Sequence, residues 1–363
     1  MTNNIYELLT RGEYPENTTH VRIRNRDHHP FSSWDQMPTL SYALSNTAMA
    51  LSATVSSFAS AVLTLGLFVP IGFVKSFVNL FTRKNSRRIA IQERERVVVV
   101  TGGSSGHGGA LVLEHAEPGT FLHIFGRNKE RLDAIRQEVV RRGAKAETHS
   151  IDFLTEEGRQ QLKQTIIDID RRHEGIDLII CAAAVTGHLD EIEKGEGWGD
   201  EMANRIIDVN LKGVINSAMV AYELMTKRKR GQICIFASIA GWFTVPSLAL
   251  YGSTKGYLKL FGINLRAMGI PYNVKVTTIF PGLVHSKMTE TMIPHSTLPR
   301  RFFVHPGKAA KIIRNGLEEN RSVVTYPLVE SLPQFAIQGV NPLCEELGLW
   351  LGQGSGIATN IAS

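Results

Sequence analysis

The chain has 363 residues, 43% of them hydrophobic, enough for one large domain with an appendage. Its formal net charge of +6 is scattered over short clusters instead of gathering into a stripe, which argues against a nucleic-acid binder. The three cysteines, Cys181, Cys234 and Cys344, have neither paired nor metal-like spacing, so a disulfide scaffold is excluded and a reducing compartment is expected.

Residues 1–41 read as a polar, flexible arm with histidines, prolines and alternating charge. Residues 42–82 form a hydrophobic segment, and no charge occurs from Gln36 to Val74. Its apolar part, residues 49–74, exceeds the roughly 20 helical residues that cross a bilayer core. A membrane segment is therefore expected there. Six Ser and Thr residues between Ser52 and Thr64 weaken that signal, leaving a buried helix or a hairpin in one leaflet as the alternatives. Lys75, Arg83, Lys84, Arg87 and Arg88 follow the segment and no Lys or Arg lies between Phe31 and Val74, so the C-terminal part should face the cytosol, at the endoplasmic reticulum if the source is eukaryotic.

From Arg96 the pattern changes to short apolar strands alternating with amphipathic helices. Seven strand candidates follow: RVVVVTG, FLHIFGR, AETHSID, IDLIICAAA, GQICIFAS, VKVTTIFPG and SVVTYP. This alternation predicts a doubly wound, Rossmann-type parallel seven-stranded α/β sheet over residues 93–327. Residues 328–363 form an apolar C-terminal extension without a legible role.

Directly after the first strand, TGGSSGHG places Gly102, Gly106 and Gly108 at a strand-to-helix turn. There, backbone amides and a helix N-terminus can face a pyrophosphate. The spacing is not G-x-G-x-x-G, and a plain tight turn is the competing reading. Nineteen residues after Gly108 stands Arg127, at the end of the second strand, where an acidic residue would select NAD. A guanidinium there pairs with a 2′-phosphate, pointing to NADP; otherwise it is a surface arginine. Asp152, closing the third strand, is placed to meet an adenine amino group or simply to close a turn.

The reactive groups come later. ASIAG puts Ser238 at a strand end, and YGSTK sets Tyr251 and Lys255 one helical turn apart on one face. A phenol with a pKa near ~10 is a poor acid or base at neutral pH, but an adjacent ammonium favours its phenolate. Ser238 can donate to the same substrate oxygen, and Lys255 can hold ribose hydroxyls. Such a tyrosine and lysine also occur by accident.

In combination, the glycine loop, Arg127, Asn210 in DVNLKG, Ser238, Tyr251, Lys255 and the Pro281-Gly282 pair occur in an order that resembles the short-chain dehydrogenase/reductase family. The resemblance implies that Tyr251 is the general acid/base, Ser238 polarises a carbonyl, Lys255 modulates Tyr251 and binds ribose, and Asn210 holds a relay water. It implies that Gly102, Ser104, Gly106 and Gly108 form the phosphate loop, Arg127 selects NADP(H), and Val284 and Ser286 contact the nicotinamide carboxamide. Pairing of two subunits through long helices is likewise implied.

Two departures stand out. Where the family commonly reads Asn-Asn-Ala-Gly, this chain has Cys181, Ala182, Ala183 and Ala184, which removes hydrogen bonds that brace the sheet. His107 occupies an aliphatic position of the loop and reads as a packing variant. The expected activity is NADPH-dependent reduction of a carbonyl, with a lipophilic small-molecule substrate suggested by the anchor; 3-ketosphinganine, long-chain 3-keto acyl compounds and ketosteroids are the candidate classes. A catalytically silent NADP-binding scaffold or sensor is the alternative. The segment from Leu283 to about Val304 is expected to cover the substrate.

Overall fold

Four successive valines fill the strand Arg96–Thr101 (β1), and every residue after Arg96 is buried. A run apolar on both faces fits an interior strand of a parallel sheet covered by helices on both sides. The computed structural model describes residues 94–186, 200–242, 248–286, 288–289 and 303–327, with scattered positions between 47 and 74.

Six further strands join β1: Thr120–Gly126 (β2), Lys145–Ser150 (β3), Leu178–Cys181 (β4), Gly231–Phe236 (β5), Val274–Pro281 (β6) and Val323–Tyr326 (β7). Their order is β3-β2-β1-β4-β5-β6-β7 and every pairing is parallel. The expected doubly wound sheet is therefore present. The strand order reverses between β1 and β4, so a crevice opens there beyond the carboxyl ends of the strands, where such sheets bind ligands.

The helices are Gly106–Glu114 (α1), Lys129–Arg141 (α2), Glu156–Arg172 (α3), Asp200–Ile207 (α4), Val214–Arg228 (α5), Ala249–Gly269 (α6) and Pro306–Glu318 (α7). One face of the sheet carries α3, α5 and α6 through Leu162, Ile166, Ala218, Leu258 and Leu265. The other carries α1, α2 and α7 through Leu111, Leu132, Val139, Ile313 and Leu317. Local signals set the helix starts: Asn128 accepts from the Arg131 N–H at 2.8 Å, and Thr155 from the Gly158 N–H at 3.0 Å. Glu156 and Glu157 in the first turn of α3, and Arg171 and Arg172 in its last, complement the helix dipole.

Among the described residues, no helix is long and apolar enough to cross a membrane. The membrane segment expected at 49–74 is described only at scattered positions, which are helical and place Leu51, Val55, Phe58 and Val62 in the open. The expected arm (1–41), the C-terminal extension (328–363) and most of the expected substrate cover lie outside the described residues.

Candidate active site

The glycine loop leaves β1 at Thr101 and enters α1 at Gly106. Gly102 has φ of 69°, and a Cβ on it would come within 2.7 Å of the Ala183 Cα; one on Gly108 would reach 2.2 Å from the Gly102 carbonyl. Both positions must be glycine for the loop to fold onto itself and onto the end of β4. Gly106 differs, because a Cβ there would meet nothing within 4 Å. Ser105 provides no side-chain cap, and the first turn of α1 has no acidic residue. The amides at this helix start are thus directed at open space with the positive end of the dipole, an arrangement suited to an anion. Ser104 lies beside them, and an open groove of about 740 Å³ runs from Ser104 and Gly106 to Lys308 and Lys311 on α7.

Arg127 is exposed immediately beyond β2, and its carbonyl accepts from the Ser150 hydroxyl at 3.2 Å. Its guanidinium has no ion pair among the described residues. Asp152, exposed beyond β3, uses Oδ1 to accept from the Leu154 N–H at 3.1 Å, closing its own turn. Both side chains sit at the carboxyl edge of the sheet on the β2–β3 side, past the glycine loop.

Ser238 follows β5 and Tyr251 lies in the first turn of α6, and tight packing brings them together. A Cβ on Gly241 would lie 2.6 Å from the Gly256 nitrogen, so the loop after Ser238 rests directly on the α6 backbone. Ser238 hydrogen-bonds the Tyr251 phenol while its Oγ accepts from the Ala240 N–H at 3.1 Å. Lys255 is fully buried, donates from Nζ to the Phe236 carbonyl at 2.9 Å, and lies 5.5 Å from the centre of the Tyr251 ring.

The electrostatics differ from the sequence expectation. Burial pushes the Tyr251 phenol up to about 12, only partly opposed by its bond to Ser238, and burial pulls the Lys255 ammonium down to about 7. Desolvation dominates at both groups, Lys255 being fully buried and Tyr251 partly so, whereas helical spacing alone suggested a phenolate favoured by lysine. Tyr251 is therefore a neutral phenol at pH 7, the form that donates a proton.

Asn210 occupies a π-helical turn, Asp208–Gly213, between α4 and α5. Such turns mark widened, specialised helix segments. Its Oδ1 accepts from the Val185 N–H at 2.8 Å and its Nδ2 donates to the Val185 carbonyl at 2.9 Å, so the side chain clamps the loop after β4. Nδ2 also reaches Thr254 Oγ1 at 3.3 Å, and that hydroxyl donates to the Tyr251 carbonyl at 2.7 Å. Thr254, not anticipated from sequence, thereby joins the Asn210 clamp to the helix of Tyr251 and Lys255. Its position beside Lys255 in YGSTK was the available signal.

The Cys181–Ala184 departure leaves a trace. The Ala182 N–H donates to the Thr101 carbonyl at 3.2 Å, yet Thr101 Oγ1 is buried without a hydrogen-bond partner. The loop path is held instead by the Asn210 clamp. His107 packs between Phe236 and Tyr326 at ring distances of 5.6 and 6.2 Å, and burial holds its imidazole down at about 4. It is a packing residue.

Val284 is buried and bridges to Val304, with Val304 N–H donating to the Leu283 carbonyl at 2.9 Å. The two ends of the expected substrate-covering segment are thus pinned together beyond β6. Ser286 and Thr289 share a hydroxyl contact of 2.9 Å.

The model of the short chain dehydrogenase family matches residues 96–296. The chain belongs to this family. Short-chain dehydrogenases are oxidoreductases that act on CH–OH and C=O groups with a nicotinamide dinucleotide, and this chain is one of them. It is 29% identical over 238 residues to an uncharacterized oxidoreductase of Myxococcus xanthus, covering 66% of this chain and 90% of that protein. It is 26% identical to a 3-oxoacyl-[acyl-carrier-protein] reductase of Thermotoga maritima, covering 64% of this chain and 95% of that protein. Among solved structures, a short-chain dehydrogenase from Sphingobium yanoikuyae in complex with NADPH shares the fold at a TM-score of 0.58 and 20% identity, over 70% of this chain and 95% of that one.

Proposed function

We propose that this short-chain dehydrogenase is an NADPH-dependent ketone reductase in which Tyr251 is the general acid. The observation that carries this reading is the hydrogen bond between Ser238 and a Tyr251 phenol held neutral. Bound NADPH supplies the hydride.

Gly102, Ser104, Gly106 and Gly108 would hold its pyrophosphate at the start of α1, since those amides have no protein cap. Arg127, exposed and unpaired among the described residues, would take the 2′-phosphate, and Asp152 the adenine. Lys255 and Tyr251 would meet the nicotinamide ribose, supported by Asn210, with Val284 and Ser286 at the carboxamide.

Ser238 donates a hydrogen bond to the substrate carbonyl oxygen and polarises it. Tyr251 then gives its phenolic proton to the alkoxide as the carbonyl carbon gains a hydride, and the product is the alcohol. Lys255 lowers the cost of the transient phenolate. Asn210 keeps the loop after β4 in place and, as the family resemblance implies, positions the water that returns a proton.

The substrate in this reading is a lipophilic ketone taken from a membrane surface. Leu51, Val55, Phe58 and Val62 support it, because they recur at three- to four-residue spacing as one exposed apolar stripe. Residues 49–74 would anchor the chain, with the reductase domain facing the cytosol. Tyr257, Leu260, Ile263 and Met268 form an exposed apolar face on α6 that supports pairing of two subunits.

The test is oxidation of NADPH and NADH by the full-length chain on 3-ketosphinganine, long-chain 3-keto acyl substrates, ketosteroids and small polar ketones, alongside Tyr251→Phe. NADPH-dependent turnover on a lipophilic ketone that falls roughly a hundredfold or more in Tyr251→Phe, with cofactor binding retained, is the expected outcome. Tight cofactor binding without turnover on any ketone would refute the reductase in favour of a silent scaffold.

A further inference from the structure

β3 is an edge strand, and Glu147 and His149, two residues apart, project from the same face. His123 on β2 stands opposite Glu147 in register, so three metal-ligand side chains share one patch of sheet. The His123 side chain is 0% exposed, His149 12% and Glu147 39%, and the group therefore runs from the interior to the solvent edge. His123 Nδ1 lies 3.1 Å from His149 Nε2 and 3.8 Å from Glu147 Oε2; His149 Nε2 lies 4.0 Å from Glu147 Oε1. On its other side, His123 Nε2 is 3.1 Å from Nε2 of His173, the residue that ends α3. Phe121 stacks on His123 at 4.8 Å and Phe125 on His149 at 4.5 Å, which fixes both ring planes.

We propose that His123, Glu147 and His149 form a site for a transition-metal dication of the zinc class, with His173 as the outer partner that orients His123. Donors about 2.0–2.1 Å from a tetrahedral metal lie roughly 3.3 Å from one another. The observed separations of 3.1 to 4.0 Å straddle that value, so small side-chain adjustments suffice and no strand must move. Two imidazole nitrogens and one carboxylate oxygen match zinc, nickel or copper in preference to magnesium or calcium.

The hydrogen-bond chain fits as well. A neutral imidazole carries one N–H; when His123 donates Nε2–H to His173, its Nδ1 lone pair points to the site. Without an ion, His149 can donate Nε2–H to that nitrogen, and metal binding replaces this one bond. Arg172 engages Glu147 Oε2 at 2.7 Å and leaves Oε1 for the metal. The cluster shares no residue with the proposed nucleotide site, and it stands independently of the reductase reading.

The experiment uses the full-length chain, stripped with a chelator and titrated with Zn²⁺ by calorimetry and with Co²⁺ by visible absorption. Stoichiometric binding is expected, with the Co²⁺ spectrum of a low-coordinate nitrogen–oxygen site. Glu147→Gln and His149→Ala should each weaken binding roughly tenfold or more, and His173→Ala by roughly ten- to a hundredfold, while His285→Ala and His305→Ala leave it unchanged. Glu147→Gln keeps shape at a partly exposed position and decides the matter if His149→Ala does not fold. Absence of uptake, or uptake that survives both Glu147→Gln and His149→Ala, would overturn the site.

Discussion

Replacing Lys255 with methionine should make the protein more stable while abolishing its turnover. The ammonium is fully buried, and burial brings its pKa from 10.5 to about 7. A fall of roughly 3.5 at about 1.36 kcal/mol for each pKa unit sets a ceiling of about 5 kcal/mol on the cost of keeping this lysine charged. Methionine removes that cost but also the bond to the Phe236 carbonyl at 2.9 Å, whose orphaning costs about 1–3 kcal/mol. The net gain is then at most about 2–4 kcal/mol at or below pH 7, a rise of no more than roughly 5–15 °C in Tm for a domain of this size.

The sign of the pH dependence provides the sharper check. Between about 7 and 10.5 the unfolded chain binds more protons at this position than the folded one, so the parent becomes more stable as pH rises through that window. Methionine has no such dependence, and its advantage should shrink from about pH 6.5 to about pH 9.5. Thermal unfolding followed by circular dichroism at matched ionic strength reads this directly, with NADPH oxidation measured on the same samples. A variant less stable than the parent near pH 6.5, or a gap that does not narrow as pH rises, would refute the reasoning.

Three further outcomes can be measured with the same assays. Arg127→Glu should cut kcat/KM with NADPH by roughly ten- to a hundredfold and shift preference toward NADH, because a charge-assisted contact becomes a repulsion; equal loss with both cofactors would count against Arg127 as selector. Asn210→Ala strips the partly buried Val185 N–H and C=O of partners made at 2.8 and 2.9 Å, so calorimetry should show a loss of about 1–3 kcal/mol together with reduced turnover. Thr101→Val removes a buried hydroxyl that has no partner and should stabilise by about 1–2 kcal/mol in denaturant titration, without weakening cofactor binding.

The strands and the candidate site residues were legible in the chain because they depend on short-range pattern. Four valines in β1 fitted a strand buried on both faces, and the glycines around the start of α1 announced a close backbone approach. Arg127, Ser238, Tyr251 and Lys255 were recognisable from their places at strand ends and on one helical face. Charge state was not legible. Spacing brought Lys255 to Tyr251 but could not show how far packing desolvates each group, which raises the phenol and lowers the ammonium.

Contacts between residues far apart in sequence belong to the tertiary structure alone. The hold of Asn210 on Val185, 25 residues away, depends on the loop after β4 meeting the π-helical turn between α4 and α5. Nothing in the local sequence marks Thr101, and packing alone leaves its hydroxyl buried without a partner. His123, His149 and His173 carry no spacing signal, and only the β2–β3 register and the end of α3 bring their nitrogens within 3.1 Å. The sequence by itself determined the seven strands and the residue types brought together at the candidate site, since backbone preference and side-chain alternation are local. Which buried polar groups find partners, and which ionise, was decided by packing, because desolvation and hydrogen bonding depend on every element that closes over a group.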